Sequence, residues 1–101
     1  MILTGKQNRH LRGLGHGLQP VVQIGKSLLS ESVVQQLDDA LDQHELIKIK
    51  FGQDIEIDRK ATGAEINASL KCSTVQAIGR TMLLFRPRKK DPTIKLPPRG
   101  D

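Results

Sequence analysis

The stretch from Val21 to Ser30 constrains the fold of this chain more than any other. A short apolar, β-branched run is followed by Gly25, Lys26 and Ser27, and then by the residue types with which helices begin. This pattern predicts a strand that passes through a cationic turn into a helix. A helix start presents unpaired N–H groups and a partial positive charge, so a lysine beside it makes a small anion cradle. An ordinary connection with a solvated lysine is the alternative.

Hydrophobic periodicity along the chain predicts the element order αβαβαββ. The elements are a helix over residues 5–14 with Thr4 and Gln7 as a capping box, a strand at 21–24, a helix from a Ser30 cap through residue 45, a strand at 46–51, a helix over 55–70 capped by Asp54 or Asp58, and a hairpin of strands 74–78 and 82–86. Strands separated by helices are normally parallel, whereas hairpin strands are antiparallel. We therefore expect an α/β domain in which helices pack against a four-stranded mixed sheet.

The carboxyl ends of the first three strands would meet at one end of such a sheet, where open α/β sheets commonly bind ligands. The turns at residues 25–28, 52–54 and 79–81 would lie there. The first strand is short and apolar, which predicts a place inside the sheet rather than at its edge. The first helix is expected to run back from the same end. The cations that would then come together are Lys6, Arg9, Lys26 and Arg80.

Two features in the middle of the chain are ambiguous. Lys48 and Lys50 fall on one face of an alternating strand, which would be basic and open unless a helix covers it. The third helix has two competing apolar faces. One consists of Ile57, Ala61, Ala64 and Ala68, and the other of Ile55, Ile66 and Leu70. The sequence therefore leaves the buried face of this helix open.

Charge is distributed unevenly along the 101 residues, whose net charge is +5. Residues 1–30 hold four bases and no acid, residues 31–85 six bases and nine acids, and residues 86–101 six bases and two acids. The excess at both ends favours a polyanionic partner, with a solvated tail and helix face as the alternative. We expect a domain over residues 1–87 and a basic, disordered tail over 88–101, because prolines and charges there leave little to bury.

Composition argues against several classes of protein. A chain of this length makes one domain. It has no apolar run that could span a bilayer and no visible secretory signal, so we expect a cytoplasmic protein that does not contact membranes. Cys72 is the single cysteine, which excludes an internal disulfide. The three histidines, His10, His16 and His44, are scattered between predicted elements, so we expect neither a metal site nor a cofactor.

The sequence also lacks the patterns of common enzymes. No Ser, His and acid arrangement and no complete P-loop appears at an informative spacing. Residues 25–27 have the Gly-Lys-Ser end of a Walker A motif, but its upstream glycine is absent. His44 and Glu45 lie at a helix end, where capping or packing is the ordinary role. We therefore expect a binding protein without a small-molecule substrate.

Six segments match a known pattern: residues 4–7 (TGKQ), 9–14 (RHLRGL), 20–25 (PVVQIG), 42–50 (DQHELIKIK), 75–81 (VQAIGRT) and 84–87 (LFRP). In these segments the chain resembles the YhbY family, the single-domain bacterial form of the CRM (chloroplast RNA splicing and ribosome maturation) domain. The resemblance implies a domain similar to the C-terminal domain of translation initiation factor 3. It also implies that the protein binds RNA and associates with precursors of the large ribosomal subunit.

The family's RNA-contacting signature is a GxxG loop between the first strand and the second helix. Here the loop is Gly25-Lys26-Ser27-Leu28, so a leucine replaces the second glycine. A glycine lets backbone N–H groups approach a phosphate closely, which a leucine side chain can obstruct. The resemblance therefore assigns RNA contacts to Gly25, Lys26 and Ser27 and leaves Leu28 as a packing residue.

The kind of recognition follows from what the chain lacks. Its only aromatic residues, Phe51 and Phe85, lie in predicted strands, where a core role is expected rather than base stacking. We expect a monomer that reads the backbone and shape of structured ribosomal RNA in ribosome assembly. The alternative is a module that binds a basic ribosomal protein through the acidic face of the second helix. The expected RNA contacts are Lys6, Arg9, Arg12, Gly25, Lys26, Ser27, Arg80, Arg86 and Arg88.

Overall fold

The computed structural model of the protein describes residues 2–26 and 28–98. Its elements are α1 (Gly5–Gly15), β1 (Pro20–Ile24), α2 (Glu31–His44), β2 (Leu46–Phe51), α3 (Arg59–Leu70), β3 (Ser73–Ile78) and β4 (Thr81–Phe85). The predicted order αβαβαββ and the mixed α/β class are confirmed.

The four strands form one sheet in the order β1-β2-β4-β3. β1 is parallel to β2, and β4 is antiparallel to both β2 and β3. The carboxyl ends of β1, β2 and β3 therefore lie at the same end of the sheet, which we call the loop end. Backbone hydrogen bonds tie this end together: the Phe51 N–H donates to the Arg80 carbonyl (2.8 Å) and the Gly52 N–H donates to the Ile24 carbonyl (3.0 Å).

β1 lies at the edge of the sheet, so its predicted place inside the sheet was wrong. Val22 and Ile24 face the core, whereas the Val21 side chain is 48% exposed on the opposite face. An apolar run indicates that a strand packs on one face. It does not reveal how many neighbouring strands that strand has.

Helices cover both faces of the sheet. α2 and α3 cover one face and bury a cluster that includes Leu37, Leu41, Ile66 and Phe51. α1 covers part of the other face, where Leu11 packs with Leu46, Val75, Leu83 and Phe85. Both phenylalanines are fully buried, which confirms their predicted core role.

α1 approaches the sheet closely because Gly15 has no side chain. A Cβ atom at Gly15 would lie 2.5 Å from Cδ2 of Leu83, which is closer than carbon atoms can pack. Leu11 and Gly15 are one turn apart, so both face the sheet. The glycine thus lets the last turn of α1 lie directly on β4.

Side-chain caps fix the helix starts. The Thr4 and Gln7 capping box of α1 is confirmed, with bonds of 3.1 and 3.0 Å. Ser30 caps α2 by accepting from the Val33 N–H at 3.3 Å. Asp58 caps α3, accepting from the N–H groups of Lys60 and Ala61 at 3.1 Å each. Each helix therefore begins at the residue directly after its capping side chain.

The predicted start of the third helix at residue 55 was wrong. Residues 55–57 precede the Asp58 cap as an irregular segment, in which the side chain of Ile55 is buried. Of the two candidate faces, Ile66 and Leu70 are buried, whereas the three alanines Ala61, Ala64 and Ala68 are exposed. The helix is shorter than predicted because the Asp58 carboxylate satisfies its first N–H groups.

The segment after β4 differs from the expected disordered tail. Ile94 and Leu96 pack against the cluster beneath α1, and the Gln7 side chain donates to the Pro97 carbonyl at 3.0 Å. Residues 88–97 therefore lie along the domain. The boundary at residue 87 stays a prediction, and residues 99–101 lie outside the described part of the chain.

Candidate nucleic-acid interface

Three cations lie on the outer face of α1. Gln7, Leu11 and Gly15 turn towards the sheet, and this leaves Lys6, Arg9 and Arg12 exposed. Within residues 2–26 and 28–98, no hydrogen bond or ion pair engages these three side chains. We call Lys6, Arg9 and Arg12 the α1 cations. With all three heads in solvent, they can neutralise an external anion without first breaking an internal contact.

The loop after β1 presents a second positive group. Gly25 and Lys26 are exposed, and the Leu28 N–H donates to the Gly25 carbonyl at 2.9 Å, which closes the turn. Ser27, a predicted contact, lies outside the described residues. The loop thus offers one lysine and an open stretch of backbone beside the start of α2.

Leu28 shows why a glycine suits this loop position. Its φ angle is 49°, in the left-handed region that favours glycine. Its side chain is half-buried and packs against the cluster beneath α2 and α3. The leucine therefore occupies the backbone conformation of a glycine while its side chain serves the core.

The structure separates the α1 cations from the loop at Gly25. One surface depression is bordered by residues 71–74, by Ile2 and Leu3 just before α1, and by Asn8 near the start of α1. Residues 71–74 lead into the first residues of β3, which are at the opposite end from the loop end. β3 is also the edge strand farthest from β1. The expectation that α1 starts beside Lys26 and Arg80 was wrong, because α1 crosses the sheet from β3 towards β2.

Arg80 lies at the loop end, but its side chain is engaged. Its Nη1 atom donates to the Gly52 carbonyl at 2.7 Å and also to the Ile55 carbonyl. These bonds hold the segment between β2 and α3 against the β3–β4 turn. Arg80 therefore has a structural role at this end of the sheet.

Arg86 is engaged more fully at the other end of the sheet. Its guanidinium pairs with Asp38 at 2.8 Å and Asp42 at 2.9 Å, and it also donates to the Leu70 carbonyl at 2.9 Å. Its side chain is 18% exposed. Arg86 therefore ties the end of β4 to α2 and α3.

Arg88 lies near the end of α2, on the same side of the molecule as Arg86. Its side chain donates to the carbonyls of Asp42, Gln43 and Asp91 at 3.5, 3.4 and 2.9 Å. The predicted contacts thus fall into three places: α1, the loop end, and the α2–β4 end. Their roles in RNA contact stay predictions.

Sequence reasoning left two sheet lysines out of the predicted contacts. Lys48 and Lys50 lie on the face that α1 covers in part, and Lys50 is exposed. The alternation of strand β2 placed both lysines on one face, but it could not show where α1 ends. Lys50 is therefore an additional exposed cation close to the loop end.

Glu45 is a buried carboxylate at the end of α2, where the sequence predicts a capping or packing role. Burial opposes its charged form, but hydrogen bonds from Thr93, Arg88 and Ile94 outweigh this effect and lower the pKa of Glu45 to about 2. Its φ angle of 64° places it at the sharp bend between α2 and β2. Glu45 therefore binds the segment after β4 as a charged group.

The described residues contain neither a candidate metal site nor a helix that could cross a membrane. Residues 2–26 and 28–98 contain no group of three His, Cys, Asp or Glu side chains placed to hold a metal ion. Burial raises the pKa of the Cys72 thiol to about 11, so it is protonated at neutral pH. No helix in these ranges is both long enough and apolar enough to cross a membrane.

Comparisons with known proteins agree on one family. The profile of the CRS1 / YhbY (CRM) domain matches residues 3–86. The chain is 35% identical to "Probable RNA-binding protein YqeI" of Bacillus subtilis, covering 95% of this chain and all of that protein. It is 40% identical to an "RNA-binding protein" of Haemophilus influenzae, covering 94% and 95% of the two chains.

A solved structure shows the same fold. The solution structure of SAV1595 from Staphylococcus aureus superimposes with a TM-score of 0.80 and 38% sequence identity. The match covers 95% of this chain and the whole of that one. The family profile, the two relatives and the fold all lead to one assignment: this chain belongs to the CRS1 / YhbY (CRM) domain family.

Proposed function

We propose that this protein binds RNA by contacting its phosphate backbone through the α1 cations and through the loop at Gly25 and Lys26. The observation that supports this most strongly is the row of three exposed, unengaged cations on α1, in a stretch of 30 residues without an acid. Lysine and arginine contact phosphates without reading sequence. The names of both relatives above support RNA as the polyanion.

The separation of the two cationic places bears on the shape of the RNA. The start of α1, with Lys6, lies beside the first residues of β3, whereas Lys26 follows β1 at the other edge of the sheet. The whole molecule measures 41 × 26 × 24 Å. An RNA that contacts both places must cross the face of the domain. Folded RNA presents phosphates in such a fixed spatial array, so the arrangement favours recognition by shape and charge.

We leave Arg80, Arg86 and Arg88 out of the proposed contacts. All three guanidinium groups donate to internal carbonyls or carboxylates. Binding a phosphate would require breaking those bonds first. Because Ser27 lies outside the described residues, the proposed contacts are Lys6, Arg9, Arg12, Gly25 and Lys26.

We further propose that the RNA is ribosomal RNA of a large-subunit precursor and that the protein acts in assembly of that subunit. The resemblance to the YhbY family supports this step. The role would be one of binding, because the exposed groups proposed to contact RNA are cations and backbone rather than a catalytic pair. In that role the protein would stabilise a folded segment of the precursor.

The competing function, binding of a basic ribosomal protein through the acidic face of α2, is less well supported. Asp38 and Asp42, two of the acids that would supply its charge, both pair with Arg86. The arginine offsets much of their negative potential. The structure therefore favours the RNA proposal over the protein-binding one.

Charge reversal tests the RNA proposal. Arg9→Glu and Lys26→Glu, alone and combined, are compared with the wild type for binding to a structured ribosomal RNA fragment at about 0.1 M salt. Lys60→Glu is the matched control, because Lys60 is also exposed but lies on α3, over the opposite face. We expect each site variant to bind about tenfold more weakly and the control to change little. Equal affinities for all variants would refute the proposal.

A further inference from the structure

The face of the sheet that carries α1 is open at the loop end. The strand register places four side chains in one row across this face, because Gln23 pairs with Lys50, Lys50 with Thr81, and Thr81 with Ile78. Their neighbours Ile24, Ile49 and Met82 point into the core beneath α2 and α3. We call the row of Gln23, Lys50, Thr81 and Ile78 the sheet strip.

The sheet strip is accessible. Gln23 and Lys50 are exposed, Thr81 is half-buried, and Ile78 is 60% exposed. In the part of the chain that the structure describes, no hydrogen bond or ion pair engages the side chain of Gln23 or Lys50. The Thr81 hydroxyl donates to the Ile78 carbonyl at 2.9 Å, and its oxygen keeps lone pairs for a ligand.

The sheet strip continues directly into the proposed phosphate-binding loop. Gln23 precedes Gly25 by two residues, which is about 7 Å along a strand. A nucleotide whose phosphate lay at Gly25 or Lys26 would therefore have its ribose or base over Gln23 and Lys50. The two surfaces are adjacent parts of one path.

The chemistry of the sheet strip suits unpaired nucleotides. The Gln23 amide can donate to and accept from a base edge, and Lys50 supplies further donors. Ile78 adds apolar surface at the far end of the row. The strip contains no acid, so its charge complements a polyanion. Its width of four strands, about 14 Å, accommodates a short single-stranded segment.

The shape of this face argues against a duplex. α1 lies on the same face and is about 10 Å thick, so the sheet strip lies about 10 Å below the outer surface of the helix. A flexible single strand can follow this change in height from α1 down to the sheet, and its base edges are free. A rigid A-form helix would rest on α1, and its base edges are already paired.

From these observations we infer that the sheet strip binds the bases or riboses of a single-stranded RNA segment whose phosphate is held at Gly25 and Lys26. This inference rests on the proposed function. It specifies the substrate as a folded RNA with an unpaired segment at the loop end of the protein.

The test compares two RNA probes. One is a hairpin with an unpaired loop of about six nucleotides, and the other is a fully paired duplex with the same number of phosphates. The protein variants are Gln23→Ala with Lys50→Gln, Lys50→Gln alone, and Lys60→Gln as a charge-matched control on α3. Circular dichroism confirms that each variant folds, which we expect because these side chains are exposed.

We expect the double variant to bind the hairpin about tenfold more weakly and the duplex as the wild type does, whereas Lys26→Glu weakens both. Equal losses on the two probes, or no loss, would overturn the inference and leave the proposed function standing. Wild-type protein that binds neither probe would overturn both. A change in sedimentation of the protein alone in the double variant would make the sheet strip a contact between copies and would also overturn the inference.

Discussion

Glu45 holds the segment after β4 through Thr93. The Oε1 atom of Glu45 accepts from the Thr93 N–H at 2.7 Å and from its hydroxyl at 2.6 Å. The same atom accepts from the Ile94 N–H at 3.0 Å, while Oε2 accepts from the Arg88 N–H at 2.9 Å. One buried carboxylate thus binds this segment at two places, at Arg88 and at Thr93 with Ile94, and the same segment packs Ile94 and Leu96 against the core.

Glu45→Gln should destabilise the protein by about 2–3 kcal/mol, because hydrogen bonds to a charged group are the strong ones and the new amide N–H₂ would face a backbone donor. Urea unfolding followed by circular dichroism measures this, since the chain has no Trp or Tyr. Glu65→Gln is the control, at an exposed position on α3. Equal stability of the two variants would show that the contact to Thr93 contributes nothing.

The pKa of Glu45 predicts a specific pH dependence. Folding lowers this pKa from 4.5 to about 2, so the stabilisation is complete above pH 4.5 and is lost as the pH falls towards 2. The shift corresponds to about 3 kcal/mol. The stability difference between wild type and Glu45→Gln should therefore shrink between pH 5 and pH 2. A difference that stays constant over this range would contradict the assignment.

Arg86→Ala should reduce stability without reducing RNA affinity. The substitution leaves Asp38, Asp42 and the Leu70 carbonyl without their partner, which costs about 2–3 kcal/mol at this partly buried position. Urea unfolding gives the stability, and RNA titration below the unfolding transition gives the affinity. A loss of affinity in fully folded protein would return Arg86 to the RNA contacts.

Substitutions at two glycines should show which of these positions matters for RNA binding and which for stability. A Cβ atom at Gly25 would meet no atom within 4 Å, and its φ is not in the left-handed region, so Gly25→Ala should change stability by less than about 0.5 kcal/mol. Its RNA affinity should fall, because the methyl group obstructs the backbone.

The comparison variant is Gly15→Ala, whose Cβ atom would lie 2.5 Å from Leu83. It should lose about 1–3 kcal/mol of stability through overpacking. Melting temperature and RNA affinity are measured for both. If Gly25→Ala bound RNA as tightly as wild type, close approach of the loop backbone to phosphate would be disproved.

The features that sequence predicted well depend on neighbouring residues. Thr4 caps α1 and Ser30 caps α2 as expected, because a cap is decided within four residues. The alternation of residues 46–51 likewise fixed β2 and its two faces. Hydrophobic periodicity predicted the element order and the α/β class, and the family resemblance agreed with both.

The features that sequence reasoning missed depend on contacts between residues that are far apart in the chain. Helix direction across the sheet follows from the packing of Leu11 and Gly15 on β4, about 70 residues away. The segment after β4 is held by Glu45, whose burial no local pattern indicates. In the sequence, Arg80 and Arg86 are basic residues like Arg9. However, the internal partners of Arg80 lie at least 25 residues away along the chain, and those of Arg86 at least 16 residues away. Charge patterns could therefore not distinguish structural arginines from available ones.

The salt dependence of RNA binding tests the proposed role of the α1 cations. Wild type is compared with the triple variant Lys6→Gln, Arg9→Gln and Arg12→Gln on one structured RNA between about 50 and 200 mM salt. Each lost phosphate contact should reduce the slope of log K against log salt by about 0.7–0.9, so we expect the slope of the triple variant to be smaller by about 2 to 3. Identical slopes for the two proteins would contradict that role.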